Sequence, residues 1–237
     1  MTTPPSDIST LQLIVNRAHH LLLDFDGPIS SIFADMSASA VADQLRGRLT
    51  AAGIALPAGV RSIPDPLEVF RVVAARSRDA GERAQRDLTE LEMQAVATAQ
   101  PTDGAAELIT TARQSGRGVT IVSNNSGQAV TAYLDAHGLA RSVGAVIGRD
   151  DPDPAHMKPS PYQVRKALQV NDAAAAGCVL IGDSLSDVTA AHSAGVAVIG
   201  YANKPGKTGR LSQAGANVVV TRLDDITSAL STATVKA

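Results

Sequence analysis

Two aspartates two residues apart close an apolar run in Leu21-Leu22-Leu23-Asp24-Phe25-Asp26-Gly27. A strand that ends this way places two carboxylates at its carboxyl edge, where open α/β sheets bind ligands. Strand side chains alternate faces, so Asp24 and Asp26 share a side while the backbone stays extended, and Gly27 permits a sharp turn just after them. Taken singly, this piece is equally well read as a solvated strand-end turn. A second acidic strand end, Ile181-Gly182-Asp183-Ser184-Leu185-Ser186-Asp187, shifts the balance. Asp183 and Asp187 are four apart and face one direction once a helix begins, although an acidic residue at that point also suits an N-cap. Neighbouring carboxylates repel unless a cation neutralises them, and a hard, oxygen-rich site that keeps water positions open suits Mg2+ better than zinc.

Two further segments carry groups suited to an anion. Val122-Ser123-Asn124-Asn125-Ser126-Gly127 leaves an apolar run just before a helix-length stretch. Its hydroxyl and backbone N–H groups can meet phosphate oxygens, or simply cap the helix that follows. Met157-Lys158-Pro159-Ser160-Pro161 contains the first lysine of the chain, with adjacent prolines that stiffen its loop before the next helix. By itself Lys158 reads by default as a lone surface lysine.

These segments need a frame. Strand-sized apolar runs recur at Leu21–Leu23, Val119–Val122, Val143–Ile147, Cys178–Ile181, Val196–Ile199 and Val218–Val220. They lack polar alternation, as strands buried on both faces do, so the spacing predicts a doubly wound α/β fold with a parallel, Rossmann-like sheet. Helices are expected over Gly104–Ser115, Gln128–His137, Pro161–Val170 and Asp187–Ala194, with Gly116, Gly138 and Gly195 as C-terminal glycines. More than ninety residues separate Asp24 from the second strand, too many for one ordinary crossover. Met36–Ala51, Leu67–Ser77 and Gly81–Ala99 within that interval read as helices. Residues 31–100 are therefore expected to form an inserted helical domain, hinged near Pro28–Phe33 and Gln100–Asp103, with 1–30 and 101–237 as the core.

Composition narrows the partners. A chain of 237 residues buries a substantial core without disulfides, and the single cysteine, Cys178, sits in an apolar run where a buried, unreactive thiol is expected. One unpaired thiol suits a reducing cytoplasm. A net charge of -2 gives no electrostatic footprint for nucleic acid or an anionic membrane, and neither Met1–Thr10 nor any other stretch resembles a leader or a membrane span. A cytoplasmic protein acting on small molecules, as a monomer or weak homodimer, is the expectation. His137, His156 and His192 share no metal-ligand spacing.

Together and in order, the four segments resemble the haloacid dehalogenase-like hydrolases, specifically the phosphoglycolate phosphatase-like members with a helical C1-type cap after the first motif. The resemblance implies a Mg2+-dependent phosphatase. Asp24 would be the nucleophile that forms an aspartyl-phosphate, and Asp26 the general acid and base. Lys158 would complete the catalytic set by neutralising charge. The resemblance places Phe25, Asp26, Ser123, Asn124 and Lys158 around the phosphoryl group. It places Asp24, Asp183, the Asp26 backbone carbonyl and, in support, Asp187 around the metal. A small phosphorylated metabolite, phosphoglycolate-like or sugar-phosphate-like, is the implied substrate. Pro28 departs from the Thr that many relatives carry after Asp-x-Asp-Gly, removing a hydroxyl and a backbone donor beside Asp26. Dehalogenating relatives lack the second aspartate, and phosphonatase-like ones need a cap lysine, whereas Ser31–Met157 contains no lysine.

Gly200-Tyr201-Ala202-Asn203-Lys204-Pro205-Gly206-Lys207-Thr208 imitates a P-loop but has five residues, not four, before its Gly-Lys-Thr. A plain surface loop is the favoured reading, a substrate-contacting rim the other. Arg46, Arg48, Arg61, Arg71, Arg76, Arg78, Arg83 and Arg86 in the insertion are expected mostly to coat helices, though any of them can meet a second anionic group. A phosphosugar mutase and a non-catalytic phosphometabolite-binding module remain the alternatives.

Overall fold

The computed structural model describes residues 5–232, so Met1–Pro4 of the leader-free N-terminal reading lie outside it. Helix α1 (Pro5–Arg17) leads into strand β1 (His20–Leu23). A two-residue strand β2 (Ser30–Ser31) is followed by helices α2 (Ala38–Ala51), α3 (Pro66–Ala74) and α4 (Arg78–Val96) and by strand β3 (Gln100–Pro101). The chain then alternates regularly: α5 (Ala105–Gln114), β4 (Gly118–Val122), α6 (Gly127–Ala136), β5 (Ala145–Ile147), α7 (Tyr162–Val170) and β6 (Cys178–Gly182). It ends with α8 (Leu185–Ser193), β7 (Ala197–Tyr201), α9 (Lys207–Gln213), β8 (Val218–Val220) and α10 (Leu223–Thr232).

Six strands form one parallel sheet in the order β5-β4-β1-β6-β7-β8. The chain runs outward from β1 in one direction through β4 and β5, then in the other through β6 to β8, which makes the fold doubly wound. Its switch point lies at β1, where crossovers diverge and leave a crevice at the carboxyl ends. Register fixes what meets there. Leu23 pairs with Ile121 on one side and Ile181 on the other, so the residues just beyond all three strands emerge side by side. Period-two alternation divides each strand between two apolar layers: Leu21, Leu23, Val119, Ile121, Val179 and Ile181 pack on one face, Leu22, Val122, Cys178 and Leu180 on the other.

The helical insertion has its own apolar cluster, in which Val41, Leu45 and Leu49 of α2, Val69, Phe70 and Val73 of α3 and Leu88 and Leu91 of α4 close around one another, joined by Met157 from the core. Side-chain caps set its helix starts. Ser37 accepts from the Ala40 N–H, Asp65 from the Leu67 N–H and Ser77 from the Ala80 N–H. Because Ser77 caps α4, the preceding helix stops at Ala74 rather than running on to Ser77 as the sequence suggests.

Other boundaries move for equally local reasons. β5 starts at Ala145, since the Val143 N–H is turned back onto the Ala140 carbonyl. The helix expected from Asp187 begins at Leu185, because Ser184 rather than Asp183 is its N-cap. The segments expected as hinges are paired antiparallel, Ser30 with Pro101 and Ser31 with Gln100, so the two chains joining insertion and core form a short ribbon. Gly116, Gly138 and Gly195 do take positive φ beyond their helices, and Cys178 is buried. The sequence reading assigned no element to α1 or α10, which pack together; the Gln12 amide donates to the Ala229 carbonyl at 3.0 Å.

Candidate active site

The Asp24 N–H donates to the Ile181 carbonyl at 2.9 Å, extending β1 alongside β6 by one residue and delivering the Asp24 carboxylate into the crevice. Gly27 then turns the chain with φ +111°, and its N–H donates to the Ser30 carbonyl at 2.7 Å. The Asp26 carboxylate is held by the Ile32 N–H at 3.2 Å. Pro28 takes no part in that support. The Gly27 carbonyl instead accepts from the Thr102 hydroxyl at 2.6 Å, tying the turn to the chain returning from the insertion. Phe25 sends its ring into the core, edge-on to Tyr133 at 5.2 Å, so only its backbone faces the site; that N–H donates to Asp24 Oδ1 at 2.7 Å.

Lys158 is 1% exposed, which makes it a built component of the crevice rather than a surface lysine. Its ammonium meets three oxygens: Asp187 Oδ1 at 2.6 Å, Asp24 Oδ1 at 2.8 Å and the Val122 carbonyl at 2.9 Å. Burial alone pulls an ammonium toward neutrality, but here the charges and hydrogen bonds of Asp187 and Asp24 outweigh it and hold Lys158 above its ordinary value. Its backbone is clamped as well, since the Lys158 N–H donates to Asn124 Oδ1 at 2.8 Å and the Asn124 amide returns a bond to the Lys158 carbonyl at 3.1 Å.

Asp187 is fully buried and completes a capping box: Oδ2 accepts from the Ser184 N–H at 3.0 Å and the Ser184 hydroxyl at 2.6 Å, while Oδ1 faces Lys158. Oxygens of Asp24, Asp183 and Asp187 all lie within 4.8 Å of one another. Burial, then the charge of Asp187, pushes the Asp24 carboxyl well above the usual carboxylate range against the pull of Lys158. Three crowded acids outnumber the two ammoniums that reach them, buried Lys158 and the more open Lys207 on Asp183, and their oxygens are a donor set that fits a hard divalent cation. Both Asp187 oxygens already have donors, so Asp24 and Asp183 are the better-placed ligands of the three. The Asp26 carboxylate stands outside that trio and is raised to about 6, chiefly by desolvation, with the Ile32 N–H opposing.

Ser123, fully buried, follows β4 with its N–H on the Ile147 carbonyl at 2.9 Å and its carbonyl accepting from the Gln163 amide at 2.7 Å. Asp24, Asp26, Ser123, Asn124, Lys158 and Asp183 share the wall of one cavity of about 220 Å³. Its other side comes from the insertion, through Asp65, Leu67, Glu68 and Arg71 of the α3 turn. Of the eight arginines in the insertion, Arg71 alone lines it, paired with Glu68 at 3.2 Å and donating to the Lys158 carbonyl at 3.1 Å.

The sequence reading is corrected at Gly200–Thr208. Asn203 donates to Asp183 Oδ2 at 2.9 Å and the Lys207 ammonium pairs with the same oxygen, so this segment is part of the acidic site and not a plain surface loop. Its position after β7, next to β6 in the sheet, was the available signal. A buried pair, Glu92 and Arg149, also went unforeseen; its carboxylate and guanidinium lie 2.7 Å apart behind the Ser123–Ser126 loop.

Comparison with known proteins agrees with this geometry. The family model for haloacid dehalogenase-like hydrolases matches residues 20–195. Phosphoglycolate phosphatase of Cupriavidus necator, plasmid-encoded, is 34% identical over 125 residues, covering 51% of this chain and 52% of that protein. Phosphoglycolate phosphatase of Caulobacter vibrioides is 30% identical over 136 residues, 56% of this chain and 54% of its own. The chain thus spans about half the length of the curated relatives it matches. Among solved structures, CbbY of Rhodobacter sphaeroides in complex with phosphate aligns with a TM-score of 0.60 at 20% identity, covering 87% of this chain and 95% of that one. A haloacid dehalogenase-like family protein of Streptococcus pneumoniae aligns with a TM-score of 0.65 at 14% identity, covering 90% and 98%. At these identities the structures speak for the fold.

Proposed function

The chain belongs to the haloacid dehalogenase-like hydrolases, and on that premise we propose that it is a Mg2+-dependent phosphatase that cleaves a small phosphomonoester through an aspartyl-phosphate on Asp24. The observation that carries this reading is the ammonium of Lys158, buried between Asp24 and Asp187 at 2.8 and 2.6 Å on the wall of the cavity that also holds Asp26, Ser123 and Asp183. A surface-coating lysine has no reason to be desolvated among acids, whereas phosphoryl transfer depends on positioning and charge neutralisation.

In this reading an Asp24 oxygen attacks phosphorus and the bond to the leaving alkoxide breaks. Asp26, whose carboxyl is raised to about 6 and so retains a proton more readily than an ordinary aspartate, delivers that proton to the alkoxide. The resulting carboxylate then takes a proton from the water that attacks the phosphorus of the aspartyl-phosphate, releasing phosphate and restoring Asp24. Ser123 and the backbone N–H groups of Asp26 and Asn124 bind the phosphoryl oxygens, whose charge Lys158 neutralises; the Phe25 N–H joins them on giving up its bond to Asp24 Oδ1. Asp24 and Asp183 would hold Mg2+ with the Asp26 carbonyl, while Asp187 orients Lys158 and supports the metal site. When bound, the ion supplies the positive charge that keeps Asp24 ionised beside the other acids.

Residues 31–100 act as a cap, with residues 1–30 and 101–237 as the core; the separate apolar cluster of α2 to α4 and the Ser30–Ser31/Gln100–Pro101 ribbon support this division. A roof over a cavity of about 220 Å³ admits a small metabolite and keeps out large partners. The phosphoglycolate phosphatases among its relatives make small phosphorylated acids or sugars the substrate class to try first. A cytoplasmic setting is part of the reading, in keeping with the one buried thiol, Cys178. The test is phosphate release from a panel of phosphometabolites in Mg2+ and in excess chelator. Metal-dependent turnover is expected, and a purified, folded protein that releases no phosphate from any member would overturn the proposal.

A further inference from the structure

We propose that Glu92, on helix α4 of the insertion, is a positioning residue for the phosphate-binding loop: it sets the Asn125 amide, and through it the hydroxyl of Ser123. The inference rests on the reading above, in which Ser123 binds the transferring phosphoryl group.

Glu92 is fully buried, and its two oxygens have three donors. Oε2 accepts from Arg149 Nη2 at 2.7 Å and the Ser126 N–H at 2.9 Å, and Oε1 accepts from Asn125 Nδ2 at 3.2 Å. A carboxylate can hold only the donating end of an amide, so Asn125 must turn its Oδ1 the other way. There it accepts from the Ser123 hydroxyl at 3.2 Å, while the Asn125 N–H donates to Ser123 Oγ at 3.1 Å. These two contacts fix the serine oxygen at the cavity wall, where an incoming phosphoryl oxygen competes with Asn125 Oδ1 for the hydroxyl proton while the Asn125 N–H keeps its hold on Oγ.

Arg149 grips the same loop from behind. Its backbone N–H donates to the Asn125 carbonyl at 2.8 Å and its Nε to the Asn124 carbonyl at 3.1 Å, while the guanidinium packs over the Phe70 ring at 4.7 Å. Gln85 of α4 bonds the Arg149 carbonyl at 2.8 Å and its guanidinium as well. A buried ion pair is weak support for stability, since apolar residues of like volume often serve as well. Apart from the Arg149 bond to Gln85, this pair directs its remaining side-chain donors and acceptors to Asn124, Asn125 and Ser126, the residues that follow the group to be positioned.

Two variants separate positioning from packing. Glu92→Met/Arg149→Met removes both charges together, so none is stranded and folding should be preserved. Asn125→Ala leaves the ion pair intact. With p-nitrophenyl phosphate and Mg2+, both should stay folded yet lose about 10²-fold in kcat, as expected for a misplaced catalytic contact, with a melting temperature lowered by the buried polar groups left unpaired. Ser123→Ala should then cost far less in the double-Met background than in the parent, because the hydroxyl is already unplaced. Parent-like kcat in the double-Met protein, or in Asn125→Ala if the former fails to fold, overturns the inference while leaving the phosphatase reading standing. A parent that neither turns over p-nitrophenyl phosphate nor binds inorganic phosphate sinks both.

Discussion

Gly27 lies against Asp183 so closely that a methyl group on its α-carbon would stand 2.5 Å from Asp183 Cγ and Oδ2. The turn after β1 and the strand end of β6 are thus packed to the limit of a backbone without a side chain. At φ +111° the position also disfavours any L side chain. The close approach is what lets carboxylates from two different strands share one small volume.

Gly27→Ala is therefore expected to push Asp183 away from Asp24 and to weaken divalent-ion binding by about 10- to 100-fold, the range seen when groups orienting metal ligands are lost. Calorimetric titration of the folded variant with Mg2+ measures it. Parent-like affinity would show that Asp183 does not need this approach.

The Asp26 carboxyl is raised from 3.8 to about 6, mainly by desolvation, so the native state prefers it protonated. Its stabilising contribution is complete below the ordinary value near 3.8 and is lost as pH rises through about 6. Asp26 as a residue is exposed at the cavity mouth, so solvent screening keeps the effect small. In chelator, urea unfolding at about pH 4 and about pH 7 should show the parent losing stability relative to Asp26→Asn on going to the higher pH. A parent-minus-variant difference that does not change with pH contradicts the shift.

Arg71 is the insertion's one arginine on the cavity wall, and Glu68 competes for it at 3.2 Å. Arg71→Ala is expected to lower kcat/KM by about tenfold or more for a phosphomonoester whose leaving group carries a carboxylate, the cost of one charge-assisted hydrogen bond. Turnover of p-nitrophenyl phosphate should change much less. Equal losses on both would instead assign Arg71 to holding the Lys158 carbonyl, to which it donates at 3.1 Å.

The sheet and the strand-end groups were legible in the sequence because each is local. Leu21–Leu23 ahead of Asp24, or Ile181 ahead of Asp183, announces a buried strand and its carboxyl end within a few residues. What the sequence hides is pairing across distance. Glu92 sits among the charged residues of an amphipathic helix and Arg149 in a loop 57 positions later, and nothing in either neighbourhood marks them as a buried pair. Lys207 was visible, but its count against the P-loop pattern directed attention to the wrong chemistry; only the adjacency of β6 and β7 brings it to Asp183. Asp183 itself was legible as a site residue, yet its suspected role as an N-cap falls to Ser184, one residue on.

The central claim is covalent transfer to Asp24, and acid quenching during turnover of a ³²P-labelled phosphomonoester with Mg2+ tests it most directly. The account predicts protein-bound label that hydroxylamine releases, as it does an acyl phosphate, and that peptide mapping assigns to Asp24; Asp24→Asn should carry none and turn over no substrate. Parent-like turnover by Asp24→Asn, or label residing on another residue, would contradict it.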